Sequence, residues 1–151
     1  MIKIVSFLYT LILFISITGC HKKSDTPSPS QSSSGYLTIS GVTENLTVTY
    51  NNSQPYQITG AASTGIYASL AASFQNGQPA TGFTVTFPSS NPNLLIYNNT
   101  NGAQYNATSG SAIIQVSSSF TTTITFMNVT FTSSQNSNQT IVATGQLINV
   151  N

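Results

Sequence analysis

Charge is what this sequence has least of. Its 151 residues include three Lys or Arg, two Asp or Glu and one His. Lys3, His21, Lys22, Lys23 and Asp25 all lie in the first quarter of the chain. The stretch Tyr36–Asn151 keeps one charged side chain, Glu44, and has no Lys, Arg, His, Cys or Asp. Each absence excludes something. General acid–base catalysis needs a titratable side chain of tunable pKa, and here only Glu44 and the tyrosines offer one. Glycoside hydrolysis normally uses two carboxylates, and a nucleophilic triad needs a basic partner for its Ser or Cys. A zinc site takes three or four His, Cys or carboxylate ligands. One carboxylate is also too few for tight calcium binding. The expectation is therefore a non-catalytic chain with no metal and no cofactor. Without a basic patch it has no electrostatic footprint for nucleic acid. It also lacks the cationic amphipathic helix that would lie on a membrane.

Cysteine is nearly absent too. Cys20 stands alone, so no intramolecular disulfide can form. Its position is informative. Met1-Ile2-Lys3 supplies a short positive start, Ile4 to Ile17 is almost continuously apolar, and Ile17-Thr18-Gly19-Cys20 follows. Charge, apolar run and small residues in that order read as a secretory signal. The run falls short of the roughly 20 apolar residues a comfortable membrane span needs. The four residues ending in Cys20 resemble the lipobox of bacterial lipoproteins. The resemblance implies cleavage between Gly19 and Cys20 and lipid on the Cys20 sulfur. Several acyl chains anchor firmly where one holds only marginally. The absence of Asp after Cys20 resembles the sorting pattern of outer-membrane lipoproteins, and leaves open which face of that membrane the chain occupies.

Residues 1–19 are thus read as the signal peptide and 20–35 as the lipidated Cys with a flexible tether. Ser24 to Gly35 is Ser, Asp, Thr, Pro, Gln and Gly with no aliphatic or aromatic side chain other than proline, a composition that cannot pack. His21 falls in this solvated spacer.

Residues 36–151 read as a single all-β domain. Leu37-Thr38-Ile39, Leu46 to Tyr50, Tyr56-Gln57-Ile58, Phe83 to Phe87 and Ala112 to Val116 alternate with the period of two that sends apolar side chains to one face of a sheet. Ile66, Ala68, Leu70, Ala72 and Phe74 share one parity, although Ala61 to Ala72 would also suit a short helix. Asn76-Gly77 and Asn101-Gly102 are expected to form tight hairpin turns with positive φ at both central positions. Phe120, Ile124 and Phe126 share even parity, whereas Val129 and Phe131 are odd. The switch near Met127-Asn128 predicts a β-bulge or a strand that changes sheet. The whole pattern predicts an antiparallel β-sandwich or small barrel. A barrel embedded in the membrane is disfavoured, because spanning strands need about 9–11 residues and several runs are shorter.

The runs Ser109–Val116 (S-G-S-A-I-I-Q-V), Phe120–Phe126 (F-T-T-T-I-T-F) and Ile141–Val150 (I-V-A-T-G-Q-L-I-N-V) resemble the end of small β-domain lipoproteins of Bacteroidota. Gly145 and Asn149-Val150 match that group's last motif, and Ser109–Val116 its first. Thr122-Thr123-Ile124 departs from its middle turn. The resemblance implies an all-β fold and an envelope location, and carries no catalytic residues.

Two candidate ligand contacts remain. Glu44, between Thr43 and Asn45, is expected in a turn as a solvated residue; the sharper alternative makes it the sole charged contact for a ligand. Tyr50, Tyr56, Tyr67, Tyr97 and Tyr105 could stack on sugars with Asn and Gln as hydrogen-bonding partners, or fill the core and rim. The Asn-x-Ser/Thr triplets at Asn45, Asn51, Asn98, Asn106, Asn128 and Asn138 are read as chance in so Asn-rich a chain. The functional expectation is a membrane-anchored lipoprotein with a binding, adhesive or structural role in the envelope. Its partners are the membrane through Cys20, a neutral glycan or an envelope protein. Strand edges unguarded by charge leave self-association open. The alternative is a small barrel carrying a hydrophobic ligand.

Overall fold

The structure, a computed structural model, describes residues 32–98, 100–117 and 121–150. The leader with Gly19 and Cys20, His21, the tether as far as residue 31, and Phe120 lie outside the described residues. Ten strands are present: β1 Ser34–Ile39, β2 Val42–Asn51, β3 Tyr56–Ala62, β4 Tyr67–Phe74, β5 Phe83–Thr86, β6 Asn93–Asn98, β7 Gln104–Ser109, β8 Ser111–Val116, β9 Thr122–Ser133 and β10 Thr140–Asn149. The Ala-rich segment is strand rather than helix, split between β3 and β4. β1 takes in Ser34 and Gly35, so regular structure begins two residues before the expected start of the domain.

Of the two architectures expected, the chain adopts the barrel. Neighbours pair in the order β1, β2, β3, β4, β6, β7, β9, β10, and β10 bonds back to β1, closing eight antiparallel strands. β7 and β8 run end to end along one edge of β9, β7 beside its C-terminal half and β8 beside its N-terminal half. β5 pairs with β8 alone.

An eight-stranded barrel has an interior just wide enough for side chains to fill. Tyr56, Phe74, Phe126 and Phe131, with Leu37, Ile58, Leu70, Leu94, Ile96, Ile114, Ile124 and Leu147, fill it and are almost wholly excluded from solvent. Bulk at these positions requires its absence at others. Gly60 and Gly145 occupy inward positions; a Cβ on Gly60 would come within 2.6 Å of Leu147 Cδ2, and one on Gly145 within 2.7 Å of Phe126 Cζ. The outer face replaces charge with cross-strand polar pairs, each adding a little to sheet stability. Thr38 and Thr43 hydroxyls lie 2.7 Å apart, Gln146 Nε2 donates to Thr125 Oγ1 at 3.0 Å, and Gln57 Nε2 donates to Ser73 Oγ at 3.2 Å.

The parity switch in β9 is a bulge. Phe126 opposes Gly145 and Val129 opposes Ala143, so β9 spends three steps where β10 spends two. Met127 and Asn128 both face out, and Ile124, Phe126, Val129 and Phe131 all face in. Asn128 takes φ of 52° and donates its backbone N–H to Thr144 Oγ1 at 3.0 Å. β9 also changes neighbour here, from β8 to β7, while staying bonded to β10 throughout.

The turns differ from expectation in one respect. Gly77 and Gly102 have positive φ, but Asn76 and Asn101 do not. Asn101 instead caps its loop, its Oδ1 accepting from the Ala103 backbone N–H at 2.9 Å. The two-residue turn with positive φ at both positions is Ser40-Gly41 (φ 53° and 79°), between β1 and β2. That turn twists with the strands it joins.

Two substitutions test these constraints by urea unfolding of the full chain. Asn128→Val should cost about 1–2 kcal/mol, the left-handed backbone penalty, and Asn128→Gly should leave stability close to that of the unsubstituted chain. Gly145→Ala should cost about 1–3 kcal/mol by overpacking against Phe126 and the Tyr36 carbonyl.

Candidate functional site

One end of the barrel is incompletely closed. There the Ser40-Gly41 hairpin, the start of β2 and the β3–β4 connection surround a cavity of about 180 Å³ lined by Leu37, Ile39, Ser40, Val42, Glu44, Ile66 and Tyr67. β2 begins at Val42, so Glu44 is a strand residue, which corrects the expected turn. It shares inward parity with Leu46 and Val48 and sits directly across from Leu37. β3 stops at Ala62, opposite Leu46. Two residues further up β2, Glu44 therefore has no strand on that side. The β3–β4 connection fills the place with Gly65, at φ of 119°, where a Cβ would overlap the Glu44 carboxylate. The carboxylate occupies space that only glycine leaves free.

Tyr67 reaches the same cavity through a second irregularity. β4 pairs Ser69 with Tyr97 but Tyr67 with Asn98, so Ala68 is an extra residue. The bulge reverses parity. Ile66, expected on the face of Leu70 and Phe74, is instead 57% exposed at the rim, and Tyr67 turns inward. Its ring meets Tyr105 edge-on, centroids 6.4 Å apart. Burial, with Tyr105 and Glu44 as lesser causes, raises the Tyr67 phenol above its ordinary pKa of 10. At neutral pH the hydroxyl is thus protonated and able to donate.

The electrostatics of the cavity are lopsided. Glu44 Oε2 is buried and makes no hydrogen bond. Among residues 36–151 no cation exists to pair with it. Leu37, Ile39, Val42 and Ile66 supply apolar walls. Such a site can hold a small molecule by apolar contact and a polar anchor. Among the described residues, no group of three or more His, Cys, Asp or Glu could hold a metal ion.

The five tyrosines do not form one platform. Tyr67 and Tyr105 stand at the Glu44 end. Tyr50 and Tyr56 are near the other end, centroids 6.5 Å apart. Tyr56 is a core residue, 1% exposed, its ring tilted against that of Phe74 and its hydroxyl accepting from Asn149 Nδ2 at 3.0 Å. Tyr97 lies on the outer surface, 36% exposed. Glu44 is misplaced by the sequence reading, which sets it in a turn, although the alternation Glu44-x-Leu46-x-Val48 extends the β2 pattern two residues towards the N-terminus. Ser40-Gly41, immediately before Val42, marks where that extension must stop.

The raised Tyr67 pKa predicts an alkaline effect. The folded state holds the proton more tightly than the unfolded chain, so the associated stability is intact below pH 10 and declines as pH rises towards the folded pKa. Urea midpoints measured from pH 8 upward should fall less steeply above pH 10 for Tyr67→Phe than for the unsubstituted chain; parallel profiles would count against it.

No protein-family model matches the chain, and searches of curated proteins and of solved structures return no match.

Proposed function

We propose that this chain is a lipoprotein of the bacterial outer membrane, anchored through Cys20, whose barrel is a non-catalytic binding module with its site at the Glu44 mouth. The observation that carries the binding reading is the buried, unpartnered Glu44 oxygen in a mostly apolar hollow. Three further features support it. The titratable inventory of the domain, one carboxylate and its tyrosines, suits holding a ligand better than transforming one. The filled apolar interior and Ser/Thr/Asn/Gln exterior are the reverse of a membrane-embedded barrel, which is apolar outside. The signal, lipobox and tether resemble those of Bacteroidota lipoproteins.

The pocket opens at the end of β1 away from Ser34, where the chain arrives from the tether. Five residue steps of about 3.3 Å each separate Ser34 from Ile39. The side chains packed along the axis speak against the alternative of a lipid carried inside the barrel.

Membrane fractionation of expressing cells tests the anchor. The native chain should pellet with membranes, and Cys20→Ser should lose the acyl groups and keep its leader uncleaved. Mass spectrometry of the native protein should find acyl groups on Cys20 at a new N-terminus. Acylation that persists in Cys20→Ser, or an unmodified Cys20 in the native protein, would overturn the anchor.

A further inference from the structure

We infer that the Glu44 mouth recognises a primary alkylammonium: an N–H-bearing cation on a short apolar body. The inference rests on the reading of this mouth as a binding site, and names what the site selects.

The argument begins with an imbalance. A buried carboxylate oxygen without a hydrogen bond is costly, and buried charges are ordinarily paired. Glu44 is the one charged residue in 36–151, so its counter-charge must come from outside the barrel. Gly65 holds the space the carboxylate occupies, and a side chain there would collide with it. The absence of a side chain at Gly65 therefore leaves room for the carboxylate inside the mouth.

The walls define the remainder of the ligand. Leu37, Ile39, Val42 and Ile66 offer apolar contact, and Tyr67 adds an aromatic ring of the kind that attracts cations. A dry cavity of about 150 Å³ holds one benzene molecule, so about 180 Å³ admits a body of similar size. Oε2 needs a hydrogen-bond donor as well as a positive charge. A quaternary ammonium provides only the charge. A bare metal ion would need several oxygen ligands, and Glu44 is the only carboxylate in this stretch. A primary ammonium provides both donor and charge.

The test is a titration of the full chain in a non-ionic detergent, followed by NMR of the Leu37, Ile39 and Ile66 methyl groups. The probes are n-butylammonium, the neutral alcohol 1-pentanol (one heavy atom longer), tetramethylammonium and calcium. Butylammonium should shift these methyls and bind more tightly than the other three. Glu44→Gln, which keeps the shape and removes the charge, should weaken butylammonium about tenfold, as loss of a charge-assisted hydrogen bond implies. It should leave pentanol binding unchanged, and that retained binding reports that the variant is folded. Equal binding of butylammonium and pentanol, or no effect of Glu44→Gln, overturns the inference and leaves an apolar binding site standing. Preferential calcium binding overturns it in favour of a metal site. If Lys22→Gln with Lys23→Gln shifts the same methyls with no probe added, the tether's own lysines occupy the pocket, and the external ligand is overturned. If no probe perturbs the methyls, the binding-site reading fails together with the inference.

Discussion

The barrel depends on β10 having two neighbours. Its residues Ala143 to Ile148 pair with β1 on one side while the strand pairs with β9 along the other. Without that double role the sheet would be open, with a free edge along β1 and a core exposed between its ends. Closure also sets the radius, and the radius sets what the interior can hold. The alternation of bulky Phe126, Phe131, Leu46 and Leu147 with bare Gly60 and Gly145 follows from that fixed volume. Asn149 finishes the strand by donating to Tyr56 across the interior, tying the last strand of the chain to β3 through a buried hydrogen bond.

Regular strands alone would not produce this shape. At Asn128 and again at Ala68 one extra residue interrupts a ladder, and each interruption has a different consequence. In β9 the bulge keeps both halves of a twelve-residue strand facing inward, and it coincides with the change of neighbour from β8 to β7. In β4 the bulge redirects Tyr67 into the mouth and sends Ile66 to the rim. The first serves packing. The second shapes the hollow at the Glu44 mouth.

The mouth combines features that the rest of the molecule avoids. Elsewhere most polar groups lie outside and pair across strands through hydroxyls and amides, and the buried ones, such as Thr122 and Asn149, are uncharged. Here a carboxylate points inward, next to apolar walls, at the place where β3 has ended and a glycine-containing connection takes over. In a domain with so little charge, a half-buried acid whose Oε2 has no hydrogen bond stands out, because residues 36–151 hold no cation to pair with it. That is the physical basis for reading this end of the barrel as a site.

Much of this was written in the chain. The all-β class and the inward parity of Leu46, Val48, Ala112, Ile114, Ile124, Phe126, Val129 and Phe131 follow from composition and from the period of two, which are local properties. The bulge at Met127-Asn128 was legible for the same reason, since a parity change within one strand is visible from its own residues. The choice of barrel over sandwich was not, because it turns on β10 meeting β1 across more than 100 residues of sequence, and no local pattern encodes a partner. Glu44 read alone looked solvated, and the five tyrosines looked alike. Only the tertiary structure separated Tyr56 in the core, Tyr97 on the outside and Tyr67 in the mouth, because burial depends on which strand ends where. What the sequence determined by itself was the kind of surface each strand presents. What the fold decided was which surfaces meet, and hence that the one charged side chain of the domain faces inward.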